Sequence, residues 1–350
     1  MSHEPLLSVE GLTTHFHTDE GTVYAVNDVS FEVEQGETVA IVGESGSGKS
    51  VMSESITKII DMPPGEIVSG SVTFDGMELT DKSDKELQSV RGDRISHVFQ
   101  NPQNGLNPVL TVGSQVGETL KIHREDISEE EIRERTIDLL DRAGIPEATT
   151  RMNDYPHEFS GGMKQRVLIA MALAADPDLL IADEPTTALD VTLQAQILQL
   201  LEELKDDYGM SMIFITHDLA VVSEIADRVV IMYAGKIMEK GRIEEVFQNP
   251  SHPYTKALIE CLPGRGDSMN RIPGSLPPVT APPDGCRFHP RCEHAEAECR
   301  TGDHPPTYDV EGTDHVASCV YYDPANREGN RAFPIADDGA DARADGGSDE

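Results

Sequence analysis

The sequence predicts an α/β fold built on a parallel sheet, and three observations carry that expectation. Two short runs, Leu179-Leu180-Ile181-Ala182 and Met212-Ile213-Phe214-Ile215, are apolar without interruption, as strands buried on both faces are. Residues 191–205 between them place apolar side chains at helical spacing. A third run, Thr38-Val39-Ala40-Ile41-Val42, leads into a glycine-rich turn and a helix predicted to start at Lys49. Strand and helix in alternation is the pattern of a sheet covered by helices.

The remaining elements follow in order. Residues 6–42 read as short strands, Leu7-Ser8-Val9, Val23-Tyr24-Ala25-Val26 and Val29-Ser30-Phe31-Glu32-Val33, with turns at Gly11, Gly21 and Gly36. Val72-Thr73-Phe74 is a further strand, turned at Asp75-Gly76. Residues 112–143 turn helical, with the charged stretch 124–135 expected on the surface. A helical insert is therefore expected at about 90–165 of the α/β core. Residues 228–239 read as a hairpin turned at Ala234-Gly235. After Pro250 the chain becomes rich in proline and glycine, and four of its five cysteines crowd between Cys286 and Cys319. The expected organisation is a main domain over 1–260, a small loop-rich domain over 261–325, and an acidic disordered tail over 326–350.

Composition narrows the function. The 350 residues hold 63 Asp and Glu against 28 Lys and Arg, a net charge of -35. Such a surface repels nucleic-acid backbones and acidic lipids, so no nucleic-acid partner is expected. The acids are spread over the whole length, which reads as adaptation to high salt and a halophile source. No apolar run reaches the ~18 residues of a membrane span. The start, Met1-Ser2-His3-Glu4, is no signal peptide. A soluble cytoplasmic chain is expected, touching a membrane only through a partner.

Gly43-Glu44-Ser45-Gly46-Ser47-Gly48-Lys49-Ser50 fits the G-x-x-x-x-G-K-[ST] phosphate-loop pattern, between a strand and a helix. Glycines let the backbone wrap a phosphate with its N–H groups inward, and the helix N-terminus adds partial positive charge. Candidate nucleotide contacts are Gly43, Ser45, Gly46, Ser47, Gly48, Lys49, Ser50 and Val51. Lys49 would reach the β- and γ-phosphates and Ser50 would ligate Mg²⁺. The strand at Leu179 ends in Asp183 and Glu184, which either cap the following turn or hold Mg²⁺ and polarise the attacking water, respectively. Ser160-Gly161-Gly162 opens a helix and forms a second anion-binding N-terminus.

Phe159-Ser160-Gly161-Gly162-Met163-Lys164-Gln165-Arg166 resembles the signature sequence of the ATP-binding-cassette ATPases. Other motifs of that family surround it in order. Gln100 resembles its glutamine loop, Ala188-Leu189-Asp190 its D-loop and His217 its switch histidine. Phe16 matches the aromatic that stacks on adenine better than Tyr24 or His17. The resemblance, over about residues 5–260, implies a P-loop NTPase (RecA-like) core with an antiparallel β subdomain and an inserted α-helical subdomain. It implies ATP and Mg²⁺ as ligands, the metal held by Ser50, Gln100 and Asp183. Glu184, His217, Gln100 and Lys49 would be catalytic. It further implies a head-to-tail pair with a second cassette ATPase, identical or paralogous, whose Ser160-Gly161-Gly162 segment closes each ATP site, with Asp190 a further nucleotide-binding residue. The pair would drive two transmembrane permease subunits at the cytoplasmic face.

Asn249-Pro250-Ser251-His252-Pro253-Tyr254-Thr255-Lys256-Ala257-Leu258 and Asn101-Pro102-Gln103-Asn104-Gly105-Leu106-Asn107-Pro108 resemble the dipeptide/oligopeptide permease group, which also holds nickel and oligosaccharide importers. An extracellular solute-binding protein is the implied further partner. Cys286-x₅-Cys292-x₆-Cys299-x₁₉-Cys319 offers four thiolates for an iron–sulfur cluster or a zinc ion. The gaps exceed the usual zinc spacing, and a similar pattern accompanies a 4Fe-4S cluster in some members of the group. His289 and His294 keep zinc open, and unligated thiols are the third alternative. Cys261 is expected to be buried on a helix. A cassette ATPase acting on nucleic acid or ribosomes, or a redox-sensing regulator, are the competing readings.

Overall fold

The computed structural model describes residues 4–100, 105–124, 126–187, 189–262, 272–310 and 314–327. Its strands are β1 (Leu7–Thr18), β2 (Gly21–Val33), β3 (Thr38–Val42), β4 (Gly65–Phe74), β5 (Met77–Glu78) and β6 (Ile95–Val98), followed by β7 (Leu179–Asp183), β8 (Ser211–Thr216), β9 (Arg228–Tyr233), β10 (Lys236–Arg242), β11 (Tyr308–Asp309) and β12 (Val316–Ala317). One sheet is antiparallel, in the order β2-β1-β4-β5. The other runs β11-β12-β10-β9-β3-β8-β7-β6, parallel from β9 to β6.

The parallel strands show why their sequences are continuously apolar. Leu180, Ala182, Met212 and Phe214 feed one hydrophobic cluster, while Leu179, Ile181, Ile213 and Ile215 feed another on the opposite face. The helix Lys49–Ile56 follows β3 and reaches β1 through a 2.9 Å hydroxyl pair between Ser55 and Thr14.

Several expected boundaries differ. Gly11 does not turn the chain: β1 runs through it with φ +59° and a register shift between Val9 and Leu12. This is a bulge, which interrupts the alternation without ending the strand. Asp28, at φ +52°, lies within β2 in the same way, so the two short strands expected there are one. The short strand β6 pairs with β7, so the helical excursion starts after Val98 rather than near residue 90. Residues 112–143 form two helices, Val112–His123 and Glu129–Arg142. Ser128 starts the second with a capping box, in which Glu131 accepts the Ser128 N–H at 2.9 Å. Within the stretch expected on the surface, Ile132 is buried.

The C-terminal segment is built onto the main sheet. β12 pairs with β10 through Glu239↔Ala317, and Cys286, Phe288 and Cys299 share a cluster with Ala40, Tyr233 and Tyr254. Cys261 is exposed, because it caps the helix Pro253–Glu260 instead of lying on its inner face. The tail expected to be disordered lies outside the described residues from 328 onward, as do Ala188 and residues 101–104. Among the described residues no helix is long and apolar enough to cross a membrane.

Candidate active site

The phosphate loop joins β3 to the helix Lys49–Ile56, with Gly48 at the helix N-cap. Gly48 has φ +101°, and a Cβ there would lie 2.3 Å from the Ala25 carbonyl oxygen, so the backbone path requires glycine. Gly43 is equally confined, against the Met232 carbonyl oxygen. Ser45 and Gly46 face solvent and Ser47 is buried. The Ser47 hydroxyl is a buried polar atom with no hydrogen-bond partner among the described residues. Val51 packs against the core beneath the loop.

Lys49 is nearly buried, and its ammonium donates to the carbonyls of Gly43 at 2.8 Å and Glu44 at 3.1 Å. Burial lowers its pKa, opposed by the charges of Glu184, Asp183 and Glu44. The ammonium is thus parked on the loop's own carbonyls.

Asp183 and Glu184 leave the end of β7. Burial raises the Asp183 pKa, with the Ser50 hydroxyl and Lys49 pulling it down and Glu184 adding to the rise. Its Oδ1 is buried with no hydrogen-bond partner among the described residues. A buried unsatisfied carboxylate oxygen beside a serine hydroxyl suits a hard cation such as Mg²⁺. The donor set therefore fits that ion.

Glu184 sits at φ +46°, a strained conformation for a non-glycine residue, and its N–H bonds to the Ile215 carbonyl of β8 at 2.9 Å. That backbone turn aims the carboxylate at three partners. Gln100 Nε2 donates at 2.7 Å, Thr187 Oγ1 donates at 2.9 Å, and His217 Nδ1 lies at 3.1 Å. Burial pushes the Glu184 pKa up, but these hydrogen bonds and the charge of His217 outweigh it and hold the carboxylate ionised. The structure thus gathers Gln100, Glu184 and His217 from three strand ends. Thr187 belongs with them and was not singled out from sequence; its place in a Pro-Thr-Thr turn gave no signal of it.

Other candidate residues lie apart. Ser160 caps the helix Gly161–Ala172, accepting the Met163 N–H at 3.3 Å, and is exposed. No hydrogen bond or ion pair among the described residues links Ser160, Gly161 or Gly162 to the phosphate loop. Asp190 caps the helix Val191–Tyr208, accepting from Thr192 and Leu193. Phe16 is half-buried on β1 against Gly65 of β4. Tyr24 packs its ring edge on His15, and His17 pairs with Glu66 at 2.8 Å.

Cys286, Cys292, Cys299 and Cys319 line one pocket with His252, His289 and His294, and all four are free thiols. Burial pushes the Cys286 thiol up to about 12 and the Cys292 thiol up to about 11. The space between them is about 10 Å³. No group of three or more His, Cys, Asp or Glu among the described residues is gathered as a single metal ion requires. The donor types are those of a metal centre, but the structure does not gather them around one position among the described residues.

A phosphate loop facing a strand-borne acid pair, with a glutamine and a histidine on the second acid, defines a nucleotide-hydrolysing cassette. The ABC transporter family matches residues 26–187, and the C-terminal region of oligopeptide/dipeptide transporters matches residues 238–299. The oligopeptide transport ATP-binding protein OppD of Bacillus subtilis is 49% identical over 321 residues, covering 91% of this chain and 89% of its own length. A Brucella ovis protein named for peptide import and ATP binding is 48% identical over 334 residues, covering 91% and 98%. The structure resembles the dimeric ATP-binding cassette MJ0796 in its post-hydrolysis state with ADP and Pi, with a TM-score of 0.61, 34% identity and coverage of 68% of this chain and 98% of that one. It also resembles cbiO1 of Clostridium perfringens, at TM-score 0.61, 30% identity and coverage of 75% and 96%. The chain belongs to the ABC transporter ATPases, of the oligopeptide/dipeptide type, and is an ATP-hydrolysing cassette.

Proposed function

We propose that this chain is the ATP-hydrolysing subunit of a peptide importer, working at the cytoplasmic face of a membrane as one of two paired cassettes. The observation that carries the reading is the Glu184 carboxylate, held ionised by Gln100, Thr187 and His217 opposite Lys49. Gly43 to Val51 would cradle the phosphates, and Lys49 would leave the loop carbonyls for the β- and γ-oxygens. Ser50, Asp183 and Gln100 would hold Mg²⁺, which when bound offsets the phosphate charge. Glu184 orients the attacking water and draws its proton, while His217 and Gln100 fix the carboxylate. Phe16 stacks on the base. Ser160-Gly161-Gly162 and Asp190 of a second cassette complete the site, in keeping with the lack of bonds from Ser160, Gly161 or Gly162 to the loop among the described residues.

Residues 1–260 act as the cassette, its helical part projecting after Val98, and 261–325 as the group-specific extension. A groove of about 590 Å³ is lined by the exposed Phe99 together with Gln100, Thr119, Leu168 and Met171. It suits an apolar segment of one of the two transmembrane permease subunits, and Gln100 would then stand where docking and chemistry meet. Peptide as the cargo is supported by the C-terminal region and by the names of the relatives, and a solute-binding protein would deliver it. The cysteine pocket is read as a 4Fe-4S site, on its four thiols and on sequence gaps longer than those usual for zinc. The net charge of -35 is read as a high-salt adaptation. The test is ATP hydrolysis by the assembled transporter in vesicles. Stimulation by di- and oligopeptides supports the reading; stimulation by nickel or oligosaccharide, and not by peptide, overturns the cargo assignment.

A further inference from the structure

The phosphate loop is held from outside the cassette core by a residue the catalytic scheme does not use. Arg291 lies in the C-terminal segment, directly before Cys292, with its side chain 5% exposed. Its Nη1 donates to both carboxylate oxygens of Glu44, at 2.9 and 3.1 Å. Glu44 is the second residue of the phosphate loop. The same guanidinium donates to the Tyr233 hydroxyl at 3.3 Å and to the carbonyls of Ile272 and Pro273 at 3.1 and 2.8 Å. Nearly every donor of a buried arginine is thereby spent on fixing one loop carboxylate and one neighbouring strand of chain. The Glu44 N–H is held too, donating to the Tyr254 hydroxyl at 3.1 Å.

The charge matters as much as the geometry. A carboxylate next to Gly43 lies beside a site made for a polyphosphate, in a chain already at -35. A buried guanidinium on that carboxylate cancels the repulsion. Arg291 is also tied to the backbone that carries Cys286 and Cys292. It ends the turn His289–Arg291, in which the His289 N–H bonds to the Cys286 carbonyl at 3.0 Å and the Cys292 N–H to the His289 carbonyl at 3.3 Å. The positions of Cys286 and Cys292 therefore set where the Arg291 backbone sits.

We propose that Arg291 is a positioning residue that neutralises Glu44 and holds the phosphate loop in its nucleotide-binding shape, and that occupation of the four-cysteine site fixes Arg291 and so sets nucleotide affinity. The second half rests on the reading of that site as a metal centre; the first does not.

The test measures binding of a fluorescent ATP analogue to the full-length chain, purified without oxygen, with thermal unfolding and the visible absorption band followed alongside. Arg291→Ala is expected to weaken binding about tenfold with the fold and band retained. Arg291→Ala combined with Glu44→Gln is expected to recover most of that loss, because the uncompensated carboxylate is gone. Wild-type affinity in Arg291→Ala, or a double variant as weak as the single one, overturns the positioning role. Stripping the metal with a chelator is expected to weaken wild type by a similar factor and to leave Arg291→Ala unchanged. Equal affinity of loaded and stripped wild type overturns the coupling. Protein free of iron and zinc removes the metal reading and the coupling with it, while the Arg291–Glu44 half still stands or falls on the variants.

Discussion

Replacing Glu184 by glutamine removes one charge and almost no volume. In the structure its two carboxylate oxygens serve three partners, Gln100 and Thr187 on Oε2 and His217 on Oε1. An amide offers one acceptor oxygen, so all three contacts survive only where its NH₂ faces an unprotonated His217 Nδ1, and otherwise one is lost at about 1 kcal/mol. The larger effect is on the reaction. Loss of a positioned general base costs about 10²- to 10⁴-fold in rate, ~3–5 kcal/mol of barrier. Binding depends on the phosphate loop and Lys49, which the change does not touch, so affinity for ATP should stay within about threefold. Phosphate release by a coupled assay and titration with a fluorescent nucleotide separate the two. Turnover within twofold of wild type would refute the role of Glu184, and loss of binding together with turnover would mean that its part is structural.

Three further outcomes are expected. Gly48→Ala forces a Cβ to 2.3 Å from the Ala25 oxygen at a positive φ, so nucleotide binding should be lost and stability fall by about 1–3 kcal/mol; unchanged binding by titration would contradict the loop geometry. Cys292→Ser should lower metal per chain in elemental analysis of anaerobically purified protein, and unchanged content would remove Cys292 from the centre. His97 is half-buried beside Thr57 and Arg91, with desolvation, aided by the Arg91 charge, depressing its pKa to about 4 from 6.5. The unfolded chain therefore binds the proton first, and stability present above pH 6.5 is lost as pH falls toward 4, by roughly 3 kcal/mol in full. Denaturant unfolding between pH 7 and 4.5 should show this, and His97→Gln should flatten the slope; parallel slopes would assign it elsewhere.

What could be read from the sequence was what local pattern records. β3, β7 and β8 were legible because both faces of each are buried, which leaves an unbroken apolar run. The phosphate loop was legible because close backbone approach demands glycine at fixed places. Gln100 and His217 carried no local signal of their own and entered only through the order of family motifs; their bonds to Glu184 bring together residues 84 and 33 positions apart. β1 and β2 looked broken because single bulged residues interrupt the alternation. β11 and β12 have two residues each, too few to make a pattern, so the attachment of the C-terminal segment to the main sheet was hidden. The pairing of Arg291 with Glu44 spans 247 positions and leaves no periodic trace. The motif at Ser251, His252 and Tyr254 read as a group marker, yet it has physical work: the N–H groups of Ser251 and His252 cap the fully buried Glu239, at 2.7 and 2.8 Å, and Tyr254 meets the phosphate loop.

The central claim is that ATP is bound between two cassettes, one giving the phosphate loop and the other Ser160-Gly161-Gly162. Light scattering of Glu184→Gln protein, alone or with the companion ATPase of its transporter, tests it most directly. Mg-ATP should yield the paired mass and Mg-ADP the single cassettes, and adding Ser160→Arg to both chains should abolish pairing with ATP. The same mass in both nucleotides, or pairing that survives Ser160→Arg, would contradict the shared site.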